Sequence, residues 1–528
     1  MIANAEVARR IDLVTEGSVL HRIASVLWPA AVVMAIQLTF FPVPLGVSLQ
    51  GVVLGLLNAL VVLGLILVYR ANRVVNLAQA SIGTFPATVA GAVVLFDGPS
   101  LVTTGLLSVV AGLIVALGAL SVLRLRSARA LPLAAAAMAL SAVGLRVAGD
   151  FGWAGGLATG LVVAVLSGIG IDAVVIQRFR TSPRLIVTVA TIGLAQLFVV
   201  LGLLTPRLWG EVALVDPGGD RTGFEVPGHL TFTIGSTVFG SAEIVAVVVS
   251  LLCIAVVSAA LRWTHVGMAV RAAADGGDRA SMLGIPVPRI EAGVWIVASV
   301  LAFVSTYIQA GILGLEITAG IGLRVMVAAL GAMALGGFSS MPTMLFAAVA
   351  IGVLTQATGP AGNHSLTLTD AVLAGVVIVG LLLRRTSNRR SDRDSASSWQ
   401  ASAEPRSVPN ELARLAPIRV LRWAAILAVV AGAAALPLVL GESQLLRAST
   451  VIALIILALS VVVLTGWTGE VTLGQMSFAA TGAAVAAMAT LEWRSTSPSA
   501  SCWPGWPRRW WRCWLPSRRC AGRASSWP

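Results

Sequence analysis

Long apolar stretches constrain the fold of this chain more than any other feature of its sequence. A helix needs about 20 mostly apolar residues to cross the hydrocarbon core of a bilayer. Stretches near that length lie at residues 23–43, 47–69, 75–95, 102–123, 130–148, 153–176, 185–204, 239–261, 292–314, 321–357, 368–383, 424–440, 446–465 and 472–491. They predict an all-α fold, a polytopic bundle of roughly a dozen or more transmembrane helices.

The charged residues exclude several kinds of function. Only 11% of the residues are charged and 57% are hydrophobic, against about 25% charged in an ordinary soluble domain. The net charge of +13 comes from arginine, because the sequence contains no lysine. These arginines lie in short loops between apolar stretches, a pattern typical of membrane topology, so no nucleic acid partner is expected. Without lysine the chain can form no phosphate-binding loop and no Schiff base, so ATP hydrolysis would need a separate protein.

Two charged loops predict the sidedness of the spans. The loop at residues 205–235 is rich in Asp and Glu, whereas the loop at residues 262–290 contains Arg262, Arg271 and Arg279. Positive charge marks cytoplasmic loops. The basic loop is therefore expected in the cytoplasm and the acidic loop outside.

An arginine-rich linker is predicted at residues 384–422, where Ser, Pro and Ala follow without apolar periodicity. It should also be cytoplasmic, so an even number of crossings separates it from the basic loop. Residues 321–357 must then cross twice or re-enter the membrane. Gly336-Gly337 with Pro342 is the predicted break between two short or discontinuous helices.

Glycines with a four-residue spacing recur in the apolar stretches. Gly51 and Gly55 form one pair, and Gly152, Gly156 and Gly160 form a longer series. Small residues at this spacing let membrane helices approach closely. Glycine is also common in membrane spans in general, so both interpretations stay open for each pair.

The segment Thr264–Arg289, THVGMAVRAAADGGDRASMLGIPVPR, is amphipathic. Its charge pattern alone fits a solvated loop helix equally well. In detail, however, it resembles the coupling loop of ABC-importer permeases of the branched-chain amino acid type. The residues that carry this resemblance are Gly267, Arg271, Ala272, Asp275, Ala280, Leu283, Gly284 and Ile285. The resemblance implies that a short cytoplasmic helix docks into a cleft on an ATPase subunit, a helix-in-groove contact.

A second segment, GVVLGLLNALVVLGLILVYRANRVVNLAQASIG at Gly51–Gly83, resembles the first block of the LivH-like subunit of that family. The matching residues are Gly64, Arg73, Asn76, Ala78, Gln79 and Gly83. The sequence departs from the family pattern at Leu77, where Phe is usual, and at Ala80-Ser81, where Gly-Glu is usual. The LivH-like permease domain is expected over residues 46–383, preceded by an N-terminal tail and first apolar helix at 1–45. Residues 100–150 match poorly and are expected to form an inserted hairpin.

A different block follows the linker. LTGWTGEVTLGQMSFAATGAAVAA, at Leu464–Ala487, resembles the opening of the partner LivM-like permease, whose start is therefore expected over residues 423–491. The tail at 492–528 departs from that pattern, with six of the 15 tryptophans and six arginines within Cys502–Pro528. Trp and Cys codons both begin with TG, so a shifted frame turns each into Leu, Val or Met. The expectation is a fusion of two permease subunits, the second truncated by a frameshift between about residues 491 and 502.

The resemblance also implies partners and a transport path. The expected partners are two ABC ATPase subunits, a periplasmic or lipoprotein substrate-binding protein, an intact LivM-like permease and membrane lipid. The expected location is a bacterial inner or plasma membrane, with no cofactor, metal or catalytic residue. Small and polar span residues between the two halves are expected to line the path: Asn76, Gln79, Thr191 and Gln475.

Two other functions were weighed. A secondary transporter would need ionisable residues near the membrane midplane, whereas Glu316, Arg324 and Asp370 lie near span ends. An integral membrane enzyme acting on lipid would need His, Asp or Glu clustered at a span mouth. The four histidines are scattered, and none is paired with a carboxylate at ligand spacing: His21, His229, His265 and His364.

Overall fold

The computed structural model describes part of the chain, in two compact units divided after Ser398. The described residues are 23–24, 26–96, 100–122, 127–179, 184–211, 226–228, 230–235, 237–314, 319–337, 340–361, 366–383, scattered positions between 420 and 435, 441–464 and 474–493. The first residues of the N-terminal tail (1–22), the linker at 384–422 apart from Val420, and the tail beyond residue 493 lie outside them.

The first unit is a helical bundle, as the apolar stretches predict. Its helices are α1 Val26–Phe40, α2 Leu45–Asn72, α3 Gln79–Leu95, α4 Leu101–Ser121, α5 Ser127–Val147, α6 Gly152–Ile171, α7 Arg184–Leu208, α8 Ser241–Trp263, α9 His265–Asp275, α10 Gly277–Met282, α11 Val287–Leu313, α12 Ala319–Gly336, α13 Met341–Ala361 and α14 Leu366–Leu383. Across both units, eight helical stretches of the described chain are long and apolar enough to cross a membrane. The all-α prediction is confirmed.

A small antiparallel ribbon lies before α8. Its strands are β1 Phe232–Ile234 and β2 Thr237–Phe239, and the rings of Phe232 and Phe239 stack with centroids 5.6 Å apart. Gly235 lies between the strands with a φ of +64°, a conformation that glycine adopts without steric cost. The sequence pattern does not predict this ribbon, because its strands are only three residues long.

Helices α2 and α11 form the centre of the first unit. Leu57, Leu60 and Leu63 of α2 are buried together with Trp295 and Phe303 of α11. A helix that is apolar around its whole circumference belongs inside a bundle. The Ser305 hydroxyl donates a hydrogen bond of 2.8 Å to the carbonyl of Leu57 and so joins the two helices.

Glycines let α2 approach α13 closely. A Cβ on Gly51 would lie 2.6 Å from the Cα of Val353, and one on Gly55 would lie 2.7 Å from the carbonyl oxygen of Val349. Gly352 faces Gly55 so closely that a Cβ there would overlap the Gly55 backbone. The close approach predicted from the spacing of Gly51 and Gly55 is confirmed.

The predicted break inside residues 321–357 is also confirmed. Helix α12 ends at Gly336, Gly337 has a φ of +70°, and α13 begins at Met341. Helices α4 and α5 form a packed pair, in which the side chain of Met138 fills the space beside Gly112. That this pair is an insertion stays a prediction.

The second unit contains two described helices, α15 Glu442–Val463 and α16 Gln475–Trp493. The Gln475 side-chain amide donates a hydrogen bond of 2.6 Å to the hydroxyl of Ser460 and so joins α16 to α15. The apolar side chains of α15 are mostly exposed, including Ile452, Ile455 and Leu459.

Candidate functional site

The segment between α8 and α11, residues 264–289, folds into the two short helices α9 and α10. Thr264 starts the segment: its hydroxyl donates to the carbonyl of Ala260 at 2.6 Å and accepts from the N–H of Gly267 at 3.0 Å. This is an N-cap, which satisfies one of the unpaired donors at a helix start. A Cβ on Gly267 would lie 2.5 Å from the Ala260 carbonyl oxygen, so only glycine fits where α9 turns away from α8.

The other end of the segment closes with a Schellman motif. Gly284 has a φ of +82°, its N–H donates to the carbonyl of Ser281 at 3.0 Å, and the N–H of Ile285 donates to the carbonyl of Ala280 at 3.1 Å. This pairing satisfies carbonyls that a helix end leaves free. Ile285 also packs against buried Ala280 and Val287, which form a small apolar cluster with Ala273.

Several apolar and basic side chains of this segment are exposed. Val266 is 68% exposed, Met268 50%, Met282 86% and Leu283 81%, and the side chain of Arg271 is exposed as well. We call these five the docking residues. Exposed apolar side chains with a neighbouring cation are typical of a surface that a partner covers.

The residues predicted for the coupling loop therefore fall into two groups, those that shape the segment and those whose side chains are exposed on it. Gly267, Ala280, Gly284 and Ile285 shape the segment, whereas Arg271 and Leu283 are exposed on it. Ala272 is half-buried, and Asp275 ends α9, its side chain lying outside the described part.

Arg73 joins α2 to this segment. Its guanidinium donates two hydrogen bonds to the carbonyl oxygen of Ala274, 2.8 Å from Nη2 and 3.3 Å from Nε. Ala274 lies in the last turn of α9, where carbonyls lack partners inside the helix. The positive charge of Arg73 also suits the negative end of the helix dipole.

Three of the four polar span residues predicted for a transport path meet in one buried cluster. Asn76, Gln79 and Thr191 are each 0% exposed. The Asn76 amide donates to the Gln79 carbonyl oxygen at 2.9 Å, and the Thr191 hydroxyl accepts from the N–H of Leu77 at 3.1 Å. Gln475, the fourth, lies in the second unit. Contact of these side chains with a substrate stays a prediction.

A cavity of about 430 Å³ lies between α3, α4, α5 and α6. Its lining is almost entirely apolar, with Ser141 and Ser167 among the few polar residues. Both hydroxyls donate to carbonyls of their own helices, those of Met138 at 3.0 Å and Val163 at 2.8 Å. A charged molecule would find little compensation for its lost hydration here, so this cavity does not suit a zwitterion.

Ionisable groups of the bundle occupy two kinds of position. Arg324 and Asp370 form a salt bridge of 2.9 Å between α12 and α14, and both are partly or largely exposed. Asp172, which sequence reasoning missed, is fully buried and accepts a hydrogen bond of 3.1 Å from the Gln177 side chain. The sequence contains a signal for this residue, because Asp172 is a carboxylate inside the apolar stretch 153–176. Among the described residues, no three His, Cys, Asp or Glu side chains are grouped to hold a metal.

A family of known proteins matches a region that includes residues 264–289. The family described as "Branched-chain amino acid transport system / permease component" matches residues 130–382. The high-affinity branched-chain amino acid transport system permease protein LivH of Escherichia coli (strain K12) is 26% identical over 247 residues, 45% of this chain and 75% of the relative. LivH of Escherichia coli O157:H7 has the same identity and coverage. No solved structure matches. The block at Gly51–Gly83 precedes the family match.

Proposed function

We propose, from the premise that this chain belongs to the family of branched-chain amino acid transport permeases, that residues 264–289 are its coupling loop to the ATPase. The chain is the permease component of an ATP-binding-cassette importer and a multi-pass protein of the bacterial inner membrane. ATP hydrolysis in such a system belongs to separate partner proteins, and a substrate-binding protein is a further partner.

The observation that carries the docking proposal is the exposure of Met282 and Leu283 beside the Schellman turn. Burying a side chain of this size contributes about 1.5–3 kcal/mol. The turn at Gly284 fixes the backbone that presents both side chains, so little ordering is needed on binding. Arg271 supplies a charge that orients the partner.

The proposed substrate is a branched-chain amino acid or a related small molecule, delivered by the binding protein from outside. Its charged ammonium and carboxylate groups need polar partners within the membrane. The cluster of Asn76, Gln79 and Thr191 supplies such groups between α3, α7 and α11. ATP-driven movement of these helices would bring the cluster into contact with the substrate path.

In this proposal the docking residues lie in the cytoplasm, because they belong to the basic loop at 262–290, and the ribbon of β1 and β2 lies outside.

The second unit would be the beginning of a LivM-like half. The exposed apolar surface of α15 supports that proposal, because a span of this kind needs lipid or another helix around it. The frameshift proposed for the tail is tested by reading the nucleotides near residues 491–502: an intact LivM-like frame downstream supports it, and none contradicts it.

Co-purification tests the docking proposal. The full chain, co-expressed with the ATPase subunits of its transport system, should retain them through affinity purification, whereas the variants Met282→Glu and Leu283→Glu should lose most of them. Val238→Glu is the matched control, since Val238 is 63% exposed on the ribbon proposed to lie outside. Equal ATPase recovery from all three variants would contradict the assignment of the loop.

A further inference from the structure

We propose that residues 73–79, the α2–α3 connector, transmit movement of the coupling loop to α7 and α11, and that Arg73 is the positioning residue at its cytoplasmic end. This inference rests on the proposed function, because it concerns how the same loop acts on the spans. It assigns a role to a segment outside the region of the family match.

The backbone of Arg73 is the first observation. Arg73 caps α2 in the left-handed conformation, with φ of 54°, and its N–H donates to the carbonyl of Tyr69 at 2.8 Å. No other described non-glycine residue has a positive φ. This conformation is costly for a side chain and suits glycine. An arginine at such a position indicates that its side chain has a task.

The guanidinium contact shows what that task is. Both hydrogen bonds of Arg73 reach one carbonyl, that of Ala274 in the last turn of α9. The docking residues Met268 and Arg271 lie on the same helix, and α10 begins after Gly276. Arg73 therefore holds the end of the helix that a bound ATPase would push or pull.

The rest of the connector, beyond Arg73, is anchored inside the bundle. Val74 is buried in the main core, and the N–H of Leu77 donates to the Thr191 hydroxyl of α7 at 3.1 Å. The Gln79 side chain donates to the carbonyl of Ala298 in α11 at 2.9 Å. Since a buried hydrogen bond is costly to leave unmade, the connector moves with α7 and α11.

Asn76 makes the connector stiff between these anchors. Its side-chain oxygen accepts from the N–H of Ala78 at 3.1 Å, and its amide donates to the Gln79 side chain at 2.9 Å. These bonds fix the turn that leads into α3. A displacement of α9 therefore reaches the polar cluster through a short segment with few free rotations, rather than being absorbed in a loose loop.

Two possible roles of Arg73, a cap that only stabilises α2 and a residue that transmits movement, predict opposite results for the substitution Arg73→Gly. Arg73→Gly relieves the backbone and removes the guanidinium contact. If Arg73 only capped α2, the glycine variant would function like wild type. If Arg73 transmits movement, the variant should fold and bind the ATPase, yet lose coupling. Arg73→Lys, which keeps the charge but lacks the planar guanidinium that donates from two nitrogens, should be intermediate.

The test uses the full chain assembled with its ATPase subunits and binding protein in proteoliposomes. We expect Arg73→Gly to keep wild-type thermal stability and ATPase binding, and to lose at least about tenfold of the uptake rate and of the substrate-stimulated ATPase rate, as the loss of a coupling energy of typical size would give. Arg129→Ala, an exposed arginine at the start of α5, is the control and should match wild type. Uptake by Arg73→Gly within twofold of wild type would overturn the inference.

Hydrogen exchange on the chain alone gives a second readout that needs no ATPase. Arg73→Gly should speed amide exchange both in the last turn of α9 and at residues 76–80, whereas Arg129→Ala should change neither. Faster exchange confined to α9 would contradict the proposal that residues 73–79 link α9 to the polar cluster. A wild-type chain that binds no ATPase would contradict the proposed function instead. The exchange result would still show whether residues 73–79 form this link.

Discussion

Arg73 and Ala274 are 201 residues apart in the sequence, and two hydrogen bonds from the guanidinium of one to the carbonyl oxygen of the other join them. The contact links the end of a central span to the end of the helix that carries docking residues. If residues 264–289 are the coupling loop, as proposed, this contact connects that loop to the buried polar cluster through residues 73–79.

The turn at Gly284 should be essential for the shape of the coupling loop. Gly284→Ala forces a left-handed conformation on an L side chain, at a cost of about 1–2 kcal/mol, and weakens the hydrogen bond from Ile285 to Ala280. We expect ATPase recovery in co-purification to fall severalfold. Gly293→Ala in α11 is the control, because nothing lies within 4 Å of a Cβ there. Equal recovery from both variants would show that the turn is dispensable.

The contact between α2 and α13 should not tolerate a larger residue. Gly352→Ala places a methyl group against the backbone of Gly55, and overpacking of this kind costs about 1–3 kcal/mol. We expect a lower midpoint of thermal unfolding in detergent. Gly375→Ala in α14 has open space around its Cβ and should leave the midpoint unchanged. A midpoint for Gly352→Ala equal to that control would contradict the close packing.

The buried hydroxyl of Thr191 should stabilise the fold. Thr191→Val keeps the shape of the side chain but leaves the N–H of Leu77 without its acceptor, and an unmet buried donor costs about 1–3 kcal/mol. The measurement is thermal unfolding of the purified chain. Thr39→Val is the control, since the Thr39 hydroxyl is exposed and bonds only within its own helix. A loss shared equally by both variants would point to a general effect of removing hydroxyls.

If the polar cluster contacts substrate, the side-chain amide of Gln79 should affect the KM for uptake as well as the stability of the fold. Gln79→Leu removes a side-chain bond to Asn76 as well as a bond to the Ala298 backbone carbonyl. Thr191→Val removes only bonds to backbone groups. We expect the Gln79 variant to show a higher KM for uptake at matched protein levels. Uptake with an unchanged KM would limit Gln79 to a structural role.

Much of the fold follows from the sequence, because each transmembrane helix is encoded by one continuous stretch of apolar residues. Twenty apolar residues in a row are sufficient to predict a helix, and the break near Gly337 follows from paired glycines and Pro342. The sequence also predicts an amphipathic segment at residues 264–289, and its role as a coupling loop stays a prediction. The fold of this segment was less predictable: α9 and α10 are separate helices, and Ala280 and Ile285 are packed and hydrogen-bonded at the turn after α10.

Contacts between distant segments could not be predicted. Nothing near Arg73 in the sequence points to Ala274, and Asn76, Gln79 and Thr191 were chosen for polarity alone, without any indication that they meet. The short ribbon before α8 and the apolar cavity between α3 and α6 depend on packing, which a one-dimensional hydropathy pattern does not contain.

Site-specific cross-linking shows whether residues 264–289 contact the ATPase in the membrane. In a background with the four native cysteines replaced (Cys253, Cys502, Cys513 and Cys520), Met282→Cys and Val238→Cys would each be treated with a short cross-linker in membranes that contain the ATPase subunits. We expect an adduct of the chain with an ATPase subunit from Met282→Cys and none from Val238→Cys. No ATPase adduct at Met282, or equal adducts at both positions, would contradict it.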